Sequence, residues 1–243
     1  MIKISNLSKE IEGKTIINDL NFEINKGDFV VFLGPNGAGK TTTIKNIVGI
    51  SKLTSGSIEI NGYNIHENEI EYKRQIGYVP DSPFLYDKLT GEEHLQLVAS
   101  LWNIPYKKAL KTINKYLQLF QLYDKKDDYI YKYSFGMKQK LSLCAALIND
   151  PQFLVLDEPL LNLDPIVSKD IKDFLISYCK SGHTIFLSTH ILEVAEKLYT
   201  RIIILKDGNI VANLDRSTIE NSYSNEYTLE DIFIKNVLKN GGL

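Results

Sequence analysis

Four short runs of continuous apolar residues mark the chain, at 29–33, 153–156, 184–187 and 202–205. Each is strand-length and rich in β-branched or aromatic residues, the pattern of strands buried on both faces of a parallel sheet. The N-terminal stretch and residues 57–60 instead alternate apolar and polar positions, as half-exposed antiparallel strands do. Asp207-Gly208, between apolar runs on either side, predicts a hairpin turn.

The pattern changes period in the middle of the chain. Thr90 followed by Glu93 predicts a capping box, opening a helix that stops near Pro105. Leu110, Ile113, Leu117 and Phe120 then recur at helical spacing. A further helix is expected to start at Ser134, carry Met137, Leu141, Ala145 and Ile148 on one face, and end before Pro151. Residues 81–150 thus read as a helical insertion into an α/β core formed by 1–80 and 151–212. In the tail, 213–243, a short amphipathic helix bearing Leu229, Ile232, Phe233 and Val237 is expected to pack on the body.

Composition narrows the function classes. Across 243 residues, 28 Lys plus Arg against 30 Asp plus Glu leave a net charge of −2, which gives no nucleic-acid footprint. No apolar run approaches the 18 or so residues of a membrane span, and the N-terminus has no secretory-signal pattern. Cys144 and Cys179 have no metal-ligand spacing and read as reduced packing residues.

Directly after the first buried run stands Gly34-Pro-Asn-Gly-Ala-Gly39-Lys40-Thr41, which matches G-x-x-x-x-G-K-[ST]. Glycines there let backbone N–H groups close around phosphate oxygens, and the following helix aims its positive end at them. Lys40 is placed to reach the β- and γ-phosphates, and the Thr41 hydroxyl to ligate Mg²⁺. The second run ends in Asp157-Glu158, at the carboxyl edge where open α/β sheets bind ligands. Asp157 is expected to hold Mg²⁺ and Glu158 to polarise the attacking water. His190 follows the third run and is expected to face the same crevice and contact the γ-phosphate. His66, His94 and His183 read as packing or surface residues.

Taken in order, these segments resemble the nucleotide-binding subunit of ATP-binding-cassette (ABC) transporters. GPNGAGKT (34–41) corresponds to Walker A, IGYVPDSPFLYDKLTGEEHL (76–95) to the switch segment, and YSFGMKQKLSL (133–143) to the signature. FLVLDEP (153–159) corresponds to Walker B, LNLDP (161–165) to the D-loop, and STH (188–190) to the switch histidine. The resemblance implies a P-loop cassette: a mostly parallel core with an antiparallel β-subdomain and an inserted helical subdomain. It implies ATP hydrolysis with Mg²⁺, in a head-to-tail dimer of cassettes.

Within that frame Asn36, Gly37, Ala38, Gly39, Lys40, Thr41 and Thr42 would bind the phosphates. Ile11 would meet the adenine, and Thr41, Asp157 and Asp81 would hold the metal. Catalysis would fall to Glu158 and His190 with Lys40. Ser134, Gly136 and Asp164 would complete the ATP site of the facing cassette. Four places depart from the family pattern: Ile11 where an aromatic is common, Asp81 for glutamine, Phe135 for the first signature glycine, and Leu160-Leu161-Asn162 for the small and polar residues usual before Leu163-Asp164.

YVPDSPFLY and LTGEEHL resemble the branch serving small bacterial exporters of drugs, peptides or ions. The implied partners are a separate transmembrane permease, docking near 82–86, and a second cassette, identical or different. The implied location is the cytoplasmic face of the membrane. The competing readings are a soluble ABC ATPase of non-transport function and a regulatory cassette that hydrolyses poorly.

Overall fold

The computed structural model describes residues 1–222 and 228–239. Two sheets organise it. The strands β1 (Ile2–Ile11), β2 (Lys14–Ile24), β4 (Ser55–Ile60) and β5 (Tyr63–Asn64) form an antiparallel sheet in the order β2-β1-β4-β5. A second sheet runs β10-β9-β3-β8-β7-β6. It contains β3 (Phe29–Leu33), β6 (Ile76–Val79), β7 (Phe153–Asp157), β8 (Thr184–Thr189), β9 (Arg201–Lys206) and β10 (Asn209–Asp215). All its pairings are parallel except β9–β10, the expected hairpin. Asp207 and Gly208 both have positive φ, 47° and 75°, as a two-residue turn of this hand requires.

The continuous apolar runs follow from burial on both sides. Because side chains alternate along a strand, Phe29, Val31 and Leu33 enter one core while Val30 and Phe32 enter the other. The same division holds for Leu154 and Leu156 against Phe153 and Val155, and for Ile185 and Leu187 against Phe186. The second core joins the two sheets. Phe22 of β2 stacks on Phe186 at 6.2 Å, and Phe32 lies 5.1 Å from Phe186.

The first core packs against helices. These are α3 (Gly91–Leu101), α4 (Tyr106–Leu119), α5 (Phe135–Leu147), α6 (Pro165–Lys180), α7 (Leu192–Leu198) and the C-terminal α9 (Leu229–Lys239). Leu229 and Ile232 of α9 are buried there, with Phe233 and Val237 packed alongside. The short α8 (Arg216–Ser222) adds Ile219 to the same core, and the remaining helices are α1 (Lys40–Ile47) and α2 (Glu69–Arg74).

Local signals set several boundaries. Thr90 caps α3 with the full reciprocal box to Glu93, and Asn103 at φ 55° breaks the chain before Pro105. Ser134 caps α5 by accepting from the Met137 amide. Two features differ from the expectation. The helix α5 is buried on most sides rather than along one stripe, and Gln139, Lys140 and Ser142 lie inside. The strand β6 was not signalled by the pattern: it has four residues, one of them glycine. A Cβ on Gly77 would come 2.4 Å from the Ala146 carbonyl oxygen, so this strand needs glycine to lie against α5.

Candidate active site

The sheet brings the predicted chemistry together at one edge. The strands β3, β7 and β8 lie side by side in register, with Leu156 opposite Leu187 and Asp157 opposite Ser188. Their carboxyl ends deliver the loop after Leu33, the pair Asp157-Glu158, and His190. A cavity of ≈ 450 Å³ lies among them. Asn36, Gly37, Gly39, Lys40, Thr41, Thr42, Asp81, Glu158 and His190 all border it, with Ile16 and Leu161 completing the wall.

The loop has the conformation a phosphate cradle requires. Gly39 has φ 105°, and a Cβ there would stand 3.1 Å from the Ile16 carbonyl oxygen, so both torsion and space demand glycine. It leads into α1, whose first turn contains no acidic residue. Its amide groups therefore offer positive charge to an anion. Lys40 is buried and donates to the carbonyl oxygens of Gly34 at 2.8 Å and Pro35 at 3.2 Å. Burial lowers its pKa, while the nearby Glu158 and Asp157 carboxylates oppose that shift.

The carboxylates differ in their surroundings. Asp157 is fully buried, and its Oδ1 accepts from the Ser188 hydroxyl at 2.6 Å. Burial raises its pKa, against the hydroxyls of Ser188 and Thr41. Glu158 Oε1 meets the imidazole Nδ1 of His190 at 2.9 Å and the Lys40 ammonium at 3.7 Å. Asp157 Oδ2 and Glu158 Oε2 are buried without a hydrogen-bond partner among the described residues. Two orphaned carboxylate oxygens beside an ammonium and a helix N-terminus fit a divalent cation and an activated water. No cluster of three metal-ligating side chains occurs among the described residues.

The other predicted positions lie elsewhere. Ala38 is buried behind the loop, where its carbonyl accepts from the Gly208 amide. Ile11 stands exposed at the end of β1 and does not border the cavity. Ile16, which the sequence reading did not single out, does. Ser134 and Gly136 occupy the exposed start of α5, with Phe135 40% exposed between them. Asp164 caps α6, accepting from the amides of Ile166 and Val167 at 3.0 Å. None of Ala38, Ile11, Ser134, Gly136 and Asp164 lines the cavity of its own chain. Ser188 was also missed as a partner of Asp157: only the strand register, which the sequence does not display, sets them opposite each other.

Comparison with known proteins bears on the family and the fold. Residues 17–161 match the family described as ABC transporter. The bacitracin transport ATP-binding protein BcrA of Bacillus licheniformis is 38% identical over 88% of this chain and 69% of its own. A solved ATP-binding subunit of an ABC transporter superposes with a TM-score of 0.89 at 31% identity, covering 97% of this chain and 98% of that one. The cassette MJ0796, solved as a dimer in a post-hydrolysis state with ADP and Pi, gives 0.80 at 26% identity, over 88% and 98%.

Proposed function

The chain belongs to the ABC transporter family as an ATP-binding and hydrolysing subunit, and we propose that Glu158, His190 and Lys40 carry out its chemistry in a two-cassette sandwich. The observation that carries this reading is that Glu158, held by His190 through one carboxylate oxygen, borders a cavity shared with Lys40 and His190. Lys40 and the amides of the loop and α1 hold the β- and γ-phosphates. Glu158 accepts a hydrogen bond from the water that attacks the γ-phosphorus, and takes its proton as the bond to the β–γ bridging oxygen breaks. His190, on Glu158 Oε1, fixes the carboxylate, and from the cavity wall it contacts the γ-phosphate. Thr41 and Asp157, with Asp81 at the cavity wall, would hold Mg²⁺, which supplies charge neutralisation on the β- and γ-oxygens.

The exposed α5 N-terminus and the Asp164 cap stand outside their own chain's cavity. In this reading they face the nucleotide of a second cassette, with Ser134 presenting donors to its γ-phosphate. ABC ATP-binding subunits work with membrane permeases, and among the described residues no helix is long and apolar enough to cross a membrane. We assign the permease contact to a groove of ≈ 800 Å³ bordered by Ile50, Phe84, Leu85, Tyr86, Val98 and Trp102. Phe84 is 89% exposed, and Tyr86 and Ile50 are also exposed. A short amphipathic helix on the cytoplasmic side of the permease fits such a groove. The likeness to a bacitracin transport subunit supports export of a drug or peptide.

Co-purification of tagged chain from detergent-solubilised native membranes tests this function. A stoichiometric multi-span protein is expected. A stable complex containing only soluble proteins or nucleic acid would overturn the transport reading.

A further inference from the structure

The turn that aims Glu158 is locally unfavourable. Glu158 has φ 46°, in the left-handed region that side chains rarely adopt. It also precedes a proline, which biases a residue toward extended backbone. Such a conformation persists only where the surroundings impose it. On the amide side the hold comes from β8: the Glu158 N–H donates to the Ser188 carbonyl and to its hydroxyl side chain, each at 3.2 Å.

On the far side it comes from the signature helix. Gln139 is 2% exposed, in the second turn of α5, and its Nε2 donates to the Pro159 carbonyl oxygen at 3.1 Å. Its Oε1 has no partner among the described residues. An amide buried with one end unsatisfied is costly, and an apolar residue of similar size would avoid that cost. The contact kept at that cost joins the residue after Glu158 to the helix capped by Ser134.

We propose that Gln139 is a positioning residue for Glu158, locking the Glu158–Pro159 turn to α5 so that the carboxylate points at the attacking water. This deepens the proposed function and rests on it in one respect. If Ser134 touches the nucleotide of a second cassette, closure there acts on the same rigid helix that positions Glu158 in its own site. Gln139 then links the state of one ATP site to the geometry of the other.

The test uses the full chain and two variants. Gln139→Leu removes the donor at similar volume. It should lower kcat about 10-fold, on the scale of a slight misplacement of a catalytic group, with KM for ATP and the melting temperature nearly unchanged. Gln139→Glu supplies a switchable donor: its protonated carboxyl can donate to the Pro159 carbonyl, whereas its carboxylate repels it. Its kcat relative to the parent chain should therefore rise as pH falls from 8 to 6, while the ratio for Gln139→Leu stays flat.

Unchanged kcat in Gln139→Leu overturns the proposal. So does a parallel loss of kcat, ATP affinity and melting temperature in both variants without pH rescue, since that marks a packing role. ATP-dependent dimerisation of Glu158→Gln reads the two-cassette arrangement separately. Failure there removes the link between sites and leaves the kcat and pH results to decide the role of Gln139 within its own site.

Discussion

The imidazole Nδ1 of His190 lies 2.9 Å from Glu158 Oε1, the oxygen that the Lys40 ammonium approaches at 3.7 Å. One carboxylate oxygen is thus committed to two cationic or donor groups. The other, Oε2, is left buried without a partner among the described residues. A carboxylate held in this way is fixed through Oε1 and keeps Oε2 uncommitted.

His190→Ala should therefore reduce ATP turnover on the order of 100-fold or more, within the span usual for loss of a group that orients proton transfer. ATP affinity should be little changed, because the loop, Lys40 and Thr41 remain. Steady-state ATPase assays beside equilibrium nucleotide binding make the comparison. Turnover within twofold of the parent would remove His190 from the catalytic set.

Asp157 offers a stability prediction with a definite sign. Burial raises its pKa in the folded chain. Its ionised form therefore costs folded stability as pH rises from the ordinary carboxylate value through the raised one. Asp157→Asn keeps the acceptor for Ser188 and removes that charge. The nucleotide-free variant should melt about 2–4 °C higher near pH 7, with the gain shrinking at acid pH, while Mg²⁺-dependent ATPase activity is lost. Thermal scans across pH check this, and a lower melting temperature at neutral pH would contradict it.

The groove beside β6 makes a separable claim. Phe84→Ala combined with Tyr86→Ala removes two exposed rings without touching the nucleotide cavity. Association with the membrane subunit should fall at least 10-fold, while ATPase activity of the isolated chain stays at the parent level. Retained association and coupled ATPase would place the contact elsewhere.

Much of the fold and the local half of the site were legible in the chain. Residues 29–33, 153–156 and 185–187 carry apolar side chains at both parities because each strand feeds two cores, and that leaves a continuous run in the sequence. Ser134 and Thr90 announce helix starts through chemistry confined to a single turn. What could not be read depends on contacts between distant segments. The strand β6 is too short for a periodic signal and is made possible by the close approach of α5 to Gly77. Ser188 meets Asp157 through register alone, and Ile16 reaches the cavity from a strand otherwise occupied with the antiparallel sheet. Gln139 carries no signal of burial in the sequence. It is buried because α5 is surrounded on nearly every side.

In the proposed sandwich two cassettes close head to tail on ATP, and Glu158 is the base that releases them. Glu158→Gln keeps the shape and the acceptor toward His190 but cannot take a proton, so bound ATP persists. Size-exclusion chromatography with light scattering on this variant should show a dimer with saturating Mg·ATP and a monomer without nucleotide. A variant that binds ATP yet stays monomeric would contradict the account.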